Sequence, residues 1–333
     1  MSTSDPLNRV AQERAVAMVE AEHQPVLHDK AIEALSIRPD GIYVDATFGR
    51  GGHSRTILAA LGPDGRLIAF DQDPDAAAYA QALTQSEPRL TFVRGSFATI
   101  EAEVARLGLV GDIDGVLFDL GVSSPQFDVA ERGFSFRLAG PLDMRMNPQA
   151  GPSLADWLAD AKHGEIARVI KTLGDEPMAG RIASAIVAAR DENQLNDTTR
   201  LAAIVKEAVP AKVAAGKRIH PATRTFQAFR IFINDELGAL DAGLRGALRV
   251  LAPTGRLAAI SFHSLEDRRV KRFMRGQARP AQPKLPMAPE IQPALRLIGK
   301  PVTADQAELT DNPRARSAIM RVAERTAGDE VVS

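Results

Sequence analysis

Short runs of Val, Ile, Leu and Phe alternate with stretches of helical period along the first third of the chain, and that rhythm predicts an α/β sheet. The strand-like runs are Ile42 to Ala46, Arg66 to Asp71, Leu90 to Val93 and Gly115 to Leu120, with two more at Arg256 to Phe262 and Ala318 to Ala323. Helical stretches such as Ser54 to Leu61 and Asp75 to Thr84 separate the early ones. The expected fold is a doubly wound, mostly parallel sheet that binds ligands outside the carboxyl ends of its strands.

After Leu120 the alternation stops. Residues 153–247 read almost entirely as helix, with Trp157, Ile166, Ile170, Ile182, Ile186 and Val187 at core positions, and the sheet resumes at Arg256. The expected organisation is an N-terminal extension over residues 1–22, a core of residues 23–130 and 248–333, and an inserted helical domain over 131–247 that holds substrate. Within the core, residues 277–298 form a proline-rich connection, because prolines at 280, 283, 286, 289 and 293 forbid a helix there.

Composition narrows the chemistry. The 333 residues include no cysteine, which excludes disulfides, thiolate metal sites and a cysteine nucleophile, and suits a reducing cytoplasm. The apolar patch from Ala15 to Val19 is too short for a secretory core, and nothing later approaches a membrane span, so the expectation is a cytoplasmic, unanchored protein. A net charge of -1 argues against coating nucleic acid by charge alone. Two basic stretches stand against that average: Arg268, Arg269, Lys271, Arg272, Arg275 and Arg279, and Lys212, Lys217, Arg218, His220, Arg224 and Arg230. Such runs are ordinarily solvated helix faces, but both flank candidate site motifs and fit an anionic substrate.

Residues 42–54 read I-Y-V-D-A-T-F-G-R-G-G-H-S, an apolar strand ending in an acid and breaking into a glycine turn. Gly49, Gly51 and Gly52 let backbone lie close under a ligand, and Asp71 at the next strand tip is spaced to accept hydrogen bonds from ribose hydroxyls. The third glycine of a dinucleotide fingerprint is missing and there is no P-loop. Asp45, Gly49 and Gly51 instead give the acid-x-x-x-Gly-x-Gly spacing of S-adenosylmethionine (AdoMet) methyltransferases, with the acid expected near the cofactor's positive charge. The plainer alternative is a glycine turn inside any α/β domain.

Longer phrases then accumulate: H-Q-P-V-L (residues 23–27), D-A-T-F-G-R-G-G-H-S (45–54), D-L-G-V-S-S-P-Q-F-D (119–128), G-F-S-F-R and G-P-L-D-M-R-M (133–146), H-P-A-T-R-T-F-Q-A-F-R-I-F-I-N-D-E-L (220–237), S-F-H-S-L-E-D-R (261–268) and N-P-R-A-R-S-A (312–318). In this order they resemble the bacterial 16S rRNA cytosine-N4 methyltransferases of the MraW or RsmH type, from about His23 to Arg321. The resemblance implies a class I (Rossmann-like) AdoMet methyltransferase with a helical insertion. It also implies methylation of N4 of a cytidine in the decoding centre of 16S rRNA, with the small ribosomal subunit as partner, and suggests a homodimer. Carried over by residue, the AdoMet contacts fall on Gly51, Gly52, His53, Asp71, Phe97, Asp119 and Gln126.

Methyl transfer from a sulfonium is an in-line displacement that needs no metal, so positioning carries much of the rate. Cytosine N4 is a poor nucleophile, and acceptors for its amino hydrogens should assist it. Amino-methyltransferases of DNA use a D/N/S-P-P-Y/F/W turn after the fourth strand; here the stretch is Ser123-Ser124-Pro125-Gln126-Phe127, with a single proline. The catalytic candidates are therefore Ser123, Ser124 and Pro125, with Asp143 as a further acceptor, and Ser261 and His263 as a second set on the base side. Ser264 to Asp267 also fits a helix capping box. Candidate RNA contacts are His220, Arg224, Arg230, His263, Arg268 and Arg269, because guanidinium forks match phosphate; Phe226 and Phe229 beside them read as core. Arg314 and Arg316 either join this set or tie the C-terminus to the core. Competing readings are an amino-methyltransferase of DNA or another RNA, a non-catalytic ribosome-assembly factor that keeps the AdoMet fold, and, more distantly, a nicotinamide dehydrogenase.

Overall fold

The computed structural model describes residues 25–214, 220–282 and 291–328. The expected extension over 1–22, residues Lys217 and Arg218, and residues 283–290 of the proline-rich segment lie outside these, as do the side chains of Ser124, Pro125 and Lys212.

Seven strands form one sheet in the order β3-β2-β1-β4-β5-β7-β6. Strands β1 (Ile42–Asp45), β2 (Arg66–Asp71), β3 (Leu90–Arg94), β4 (Ile113–Asp119) and β5 (Leu251–Ser261) run parallel. Strands β6 (Leu295–Thr303) and β7 (Ile319–Arg325) complete the far edge, with β7 antiparallel to β5 and β6 antiparallel to β7. The strand order reverses between β1 and β4, and the crevice outside their carboxyl ends is where such a sheet takes a ligand.

Apolar side chains on both sheet faces require two helical layers. Helices α1 (His28–Leu35), α2 (Gly52–Ala60) and α3 (Pro74–Ser86) cover one face through Leu35, Ile57, Leu58 and Ala80. Helix α3 starts where it does because Asp73 caps it, accepting the Asp75 N–H at 2.9 Å, and Pro74 has no N–H to leave unpaired. The other face is covered by α4 (Ile100–Arg106) and by two helices from much later in the chain, α12 (Glu236–Val250) and α13 (Ser264–Ala278).

Between β4 and α12 lie α5 (Ser124–Asp128), α6 (Leu154–Asp160), α7 (His163–Gly174), α8 (Ala179–Asp191), α9 (Thr198–Ala208), α10 (Ala211–Ala214) and α11 (Thr223–Ile233). Helices α6 to α9 and α11 pack around their own core, in which Ile166, Ile170, Ile182, Ile186 and Phe229 are fully buried, with Trp157 and Val187 partly buried against it. Helix α12 has the same helical period but buries Leu240, Leu244, Ala247 and Leu248 against the sheet. A domain boundary near Asn234 therefore fits the packing better than one at 247.

Two strands differ from the sequence reading. Strand β5 begins at Leu251 rather than Arg256; its pairing with β4 slips between Ile113 and Gly115, so the A-P-T-G segment bulges and reads as a turn. Strand β6 is a strand that the sequence reading did not include; only its first four residues, 295–298, fall in the proline-rich connection expected over 277–298. It holds Gly299 and Pro301, turns through a left-handed glycine at φ +64°, and is mostly exposed, as an edge strand can be. At the start of the same 277–298 segment, residues 277 and 278 still belong to α13.

Candidate active site

The tips of β1, β2 and β4 are stitched to one another by two backbone hydrogen bonds and one to a threonine hydroxyl. Ala46 N–H donates to the Leu117 carbonyl at 2.8 Å, Phe48 N–H to the Phe70 carbonyl at 2.9 Å, and Asp119 N–H to Thr47 Oγ1 at 2.8 Å. Gly49 and Gly51 then adopt φ of +55° and +77°, which carries the chain from β1 into α2 under the crevice. Asp45, expected near the cofactor's charge, instead shapes this turn from beneath. It is fully buried, accepting the Ser54 hydroxyl at 2.6 Å and the Thr47 N–H at 3.1 Å.

Asp71 lies at the carboxyl end of β2 and accepts the N–H of Gly49 at 2.8 Å and of Asp73 at 2.9 Å. Burial pushes its carboxyl up to about 6 despite those two bonds. Asp119, at the end of β4, is raised well above the carboxylate range by burial, with Asp45 and Glu266 adding repulsion. Its Oδ1 is buried without a hydrogen-bond partner, and its Oδ2 lies 3.7 Å from Nδ1 of His53. His53 sits in the first turn of α2, stacked on His28 at 5.4 Å, and burial beside His28 depresses its pKa to about 3. It is therefore a neutral imidazole at any ordinary pH, with its Nε2 also buried and unpartnered. Phe97 lines the same crevice and meets Phe118 edge-on at 5.4 Å.

Gln126 is engaged within the protein. Its Oε1 accepts the N–H of Ser123 at 2.9 Å and its Nε2 donates to Asp73 Oδ2 at 2.6 Å, which locks α5 and the Ser123 turn to the Asp71–Asp73 loop. Asp73 was not singled out in the sequence, although the D-P pair of a capped helix start marked it. It also receives Arg132 at 2.8 Å, and Arg132 donates to the Met146 carbonyl at 2.9 Å. Arg132 thus bolts the P-L-D-M-R-M segment to the cofactor side; nothing in its sequence context announced it.

Asp143 is engaged away from the crevice. Both of its oxygens bind Arg145, at 2.8 and 2.7 Å, which holds the carboxyl below its usual range, and it does not line the crevice. Arg230 does line it, but its fork is closed on Glu236 at 2.8 Å by both nitrogens, so it is not open to phosphate. His263 rather than Ser264 caps α13, with Glu266 completing the box one residue earlier than the sequence suggested. Glu236, His263 and Glu266 are close enough for a metal ion, yet Arg230 already holds Glu236, and Glu266 already accepts the N–H groups of Phe262 and His263.

The remaining basic candidates lie away from the crevice lining. His220 packs against Phe136 at 4.8 Å, Arg224 donates to the Asp175 carbonyl at 2.9 Å, and Arg269 pairs with Asp241. Arg268 is exposed and has no partner among the described residues. Arg314 does line the crevice and pairs with Asp128 at 2.9 Å.

The crevice itself measures about 1870 Å³, larger than the 300–1,000 Å³ usual for one small ligand. Acids line it throughout: Asp73 and Glu266 are buried, Asp71, Asp119 and Glu236 half-buried, and Asp29, Asp75 and Asp128 exposed, while the half-buried Arg50 and the exposed Arg137 and Arg314 line it as well. A lining so rich in carboxyl groups, with orphaned buried atoms on His53 and Asp119, suits a cationic cofactor, and the glycine turn needs no phosphate to explain it.

A 3-2-1-4-5-7-6 sheet with a glycine turn after β1, acids at the tips of β2 and β4, and such a lining defines a class I AdoMet-dependent methyltransferase. Comparison with known proteins agrees and goes further: the chain belongs to the MraW methylase family, whose model matches residues 20–326. It is 54% identical over 311 residues to a protein of Thioalkalivibrio sulfidiphilus (strain HL-EbGR7) named ribosomal RNA small subunit methyltransferase H, covering 92% of this chain and 98% of that one. A protein of the same name from Chromobacterium violaceum is 54% identical over 309 residues, covering 92% and 95%. No helix among the described residues is long and apolar enough to cross a membrane.

Proposed function

We propose that this enzyme methylates N4 of a cytidine in the decoding centre of 16S rRNA, acting on the small ribosomal subunit. One observation carries the substrate: 54% identity over 92% of the chain to proteins named for small-subunit ribosomal RNA methylation. The choice of cytosine N4 rests on the resemblance of the D-L-G-V-S-S-P-Q-F-D and S-F-H-S-L-E-D-R phrases to that family.

The cofactor half of the crevice is Gly51, Gly52, His53, Asp71, Phe97 and Asp119. AdoMet, when bound there, supplies a methyl group made electrophilic by its sulfonium. Asp71 accepts from the ribose diol, Phe97 offers an apolar face to adenine, and the unpartnered Oδ1 of Asp119 accepts from the amino group of the methionine end. Gln126 acts through the Ser123 turn, which it holds, in place of the direct contact expected of it. On the base side, an amino group whose lone pair is spread into the ring is assisted by acceptors for its two hydrogens. The carbonyls of the Ser123 turn are the acceptors available along that wall; His263 is turned to Glu266, its Nδ1 accepting the Glu266 N–H and its Nε2 lying 3.1 Å from Glu266 Oε1. The departing proton leaves from a protonated amine, so no strong base is required.

Genetic complementation tests this. 16S rRNA from a strain lacking the gene should be missing N4-methylcytidine; the wild-type gene should restore it and an Asp71→Ala gene should not. Rescue of a different modified nucleoside would redirect the assignment.

A further inference from the structure

Phe127 is an exposed aromatic ring that the fold does not use. It is 38% exposed, the one aromatic among the large apolar side chains left open in the described residues, and it belongs to none of the three hydrophobic cores. It lines the mouth of the crevice on α5. The short helix that carries it is anchored from below, because Gln126, its neighbour, is buried between Asp73 and Ser123. The guanidinium of Arg314 lies over the ring at 6.0 Å, and the same arginine pairs with Asp128 at 2.9 Å.

We propose that Phe127, flanked by Arg314, is the platform on which a pyrimidine base of the RNA stacks at the mouth of the crevice. The proposal rests on the RNA substrate put forward above and gives it a specific contact. An aromatic ring and a guanidinium are the two groups that stack on unpaired bases, and here one is held over the other. Arg137, exposed along the same crevice, suits the backbone that must pass outside. The crevice also has room for a nucleotide beside the cofactor. Phe127 follows Ser124 by three residues, the separation of the first residue and the aromatic in the D/N/S-P-P-Y/F/W turn, so only the second proline of that pattern has been replaced, by Gln126.

Phe127→Ala, Phe127→Leu and Phe127→Tyr separate stacking from bulk. On small ribosomal subunits, kcat/KM should fall roughly tenfold or more for Ala and Leu, the scale of one base–aromatic stack, and stay near wild type for Tyr, with AdoMet affinity by calorimetry the same in all four. Leu as active as wild type, or AdoMet affinity falling in step with activity, would overturn the proposal. A second measurement does not depend on the subunit. Phe127→Trp in a Trp157→Phe background leaves one indole in the chain, and its fluorescence should be quenched by single-stranded oligocytidylate. Unchanged emission overturns the platform whatever the target. Quenching in a protein that fails to methylate subunits would refute the assigned substrate and leave the platform standing.

Discussion

Asp71 Oδ2 accepts the backbone N–H of Gly49 at 2.8 Å, so the glycine turn and the acid proposed to hold the ribose are one unit. Asp71→Ala therefore removes a ribose contact and also releases the turn beneath the cofactor. AdoMet affinity measured by calorimetry should fall by more than tenfold, a loss beyond about 1.4 kcal/mol. A smaller loss than that would mean the turn is held by its glycines alone.

The pH dependence follows from the same acid. Its folded value of about 6 lies above the ordinary 3.8, so in the unliganded protein its contribution to stability falls as pH rises between these values. Cofactor binding has the opposite slope, because hydroxyls donate to the ionised form. AdoMet affinity should rise through pH 6, by up to about tenfold per unit below it, and Asp71→Asn should remove that inflection.

Two glycines of the turn should respond differently to alanine. At Gly52 an added Cβ would meet Pro25 Cγ at 2.4 Å, whereas at Gly49 nothing lies within 4 Å and only the left-handed φ of +55° resists. Gly49→Ala should cost about 1 kcal/mol of stability and Gly52→Ala more, with AdoMet affinity falling further for the second. Thermal denaturation beside calorimetry measures both.

Arg230 and Glu236 form a forked pair with side chains only 11% and 9% exposed. Arg230→Ala leaves Glu236 uncompensated near Glu266 and should cost about 3–5 kcal/mol in chemical denaturation. Arg268→Ala, at an exposed position, should stay within about 0.5 kcal/mol. Equal effects would place Arg230 among the surface cations that its sequence neighbourhood suggested.

The parallel half of the sheet was legible because β1 to β4 are compact apolar runs between glycine turns and helices, and the cofactor acids sit where those runs end. Strand β6 was hidden because an edge strand has few inward side chains to set a period, and Gly299 and Pro301 mimic a loop. Helix α12 looked like the inserted helices because period tells that a helix has an apolar face but not which core it meets. The arginines were harder still. Charge in a sequence does not say whether a guanidinium meets water or a carboxylate, so Arg230, closed on Glu236, read like Arg268, which is open. Asp143 looked like an acceptor for the base until Arg145, two residues on, was seen to occupy both of its oxygens.

The central claim is methyl transfer to cytosine N4 at the crevice where β1, β2 and β4 end. Its most direct test incubates small ribosomal subunits from a strain lacking the gene with methyl-labelled AdoMet and either wild-type enzyme or Asp71→Ala, then identifies the labelled nucleoside by mass spectrometry. The account predicts label in N4-methylcytidine with wild type and its loss with the variant at limiting AdoMet. Label in any other nucleoside, or equal label from both proteins, would contradict it.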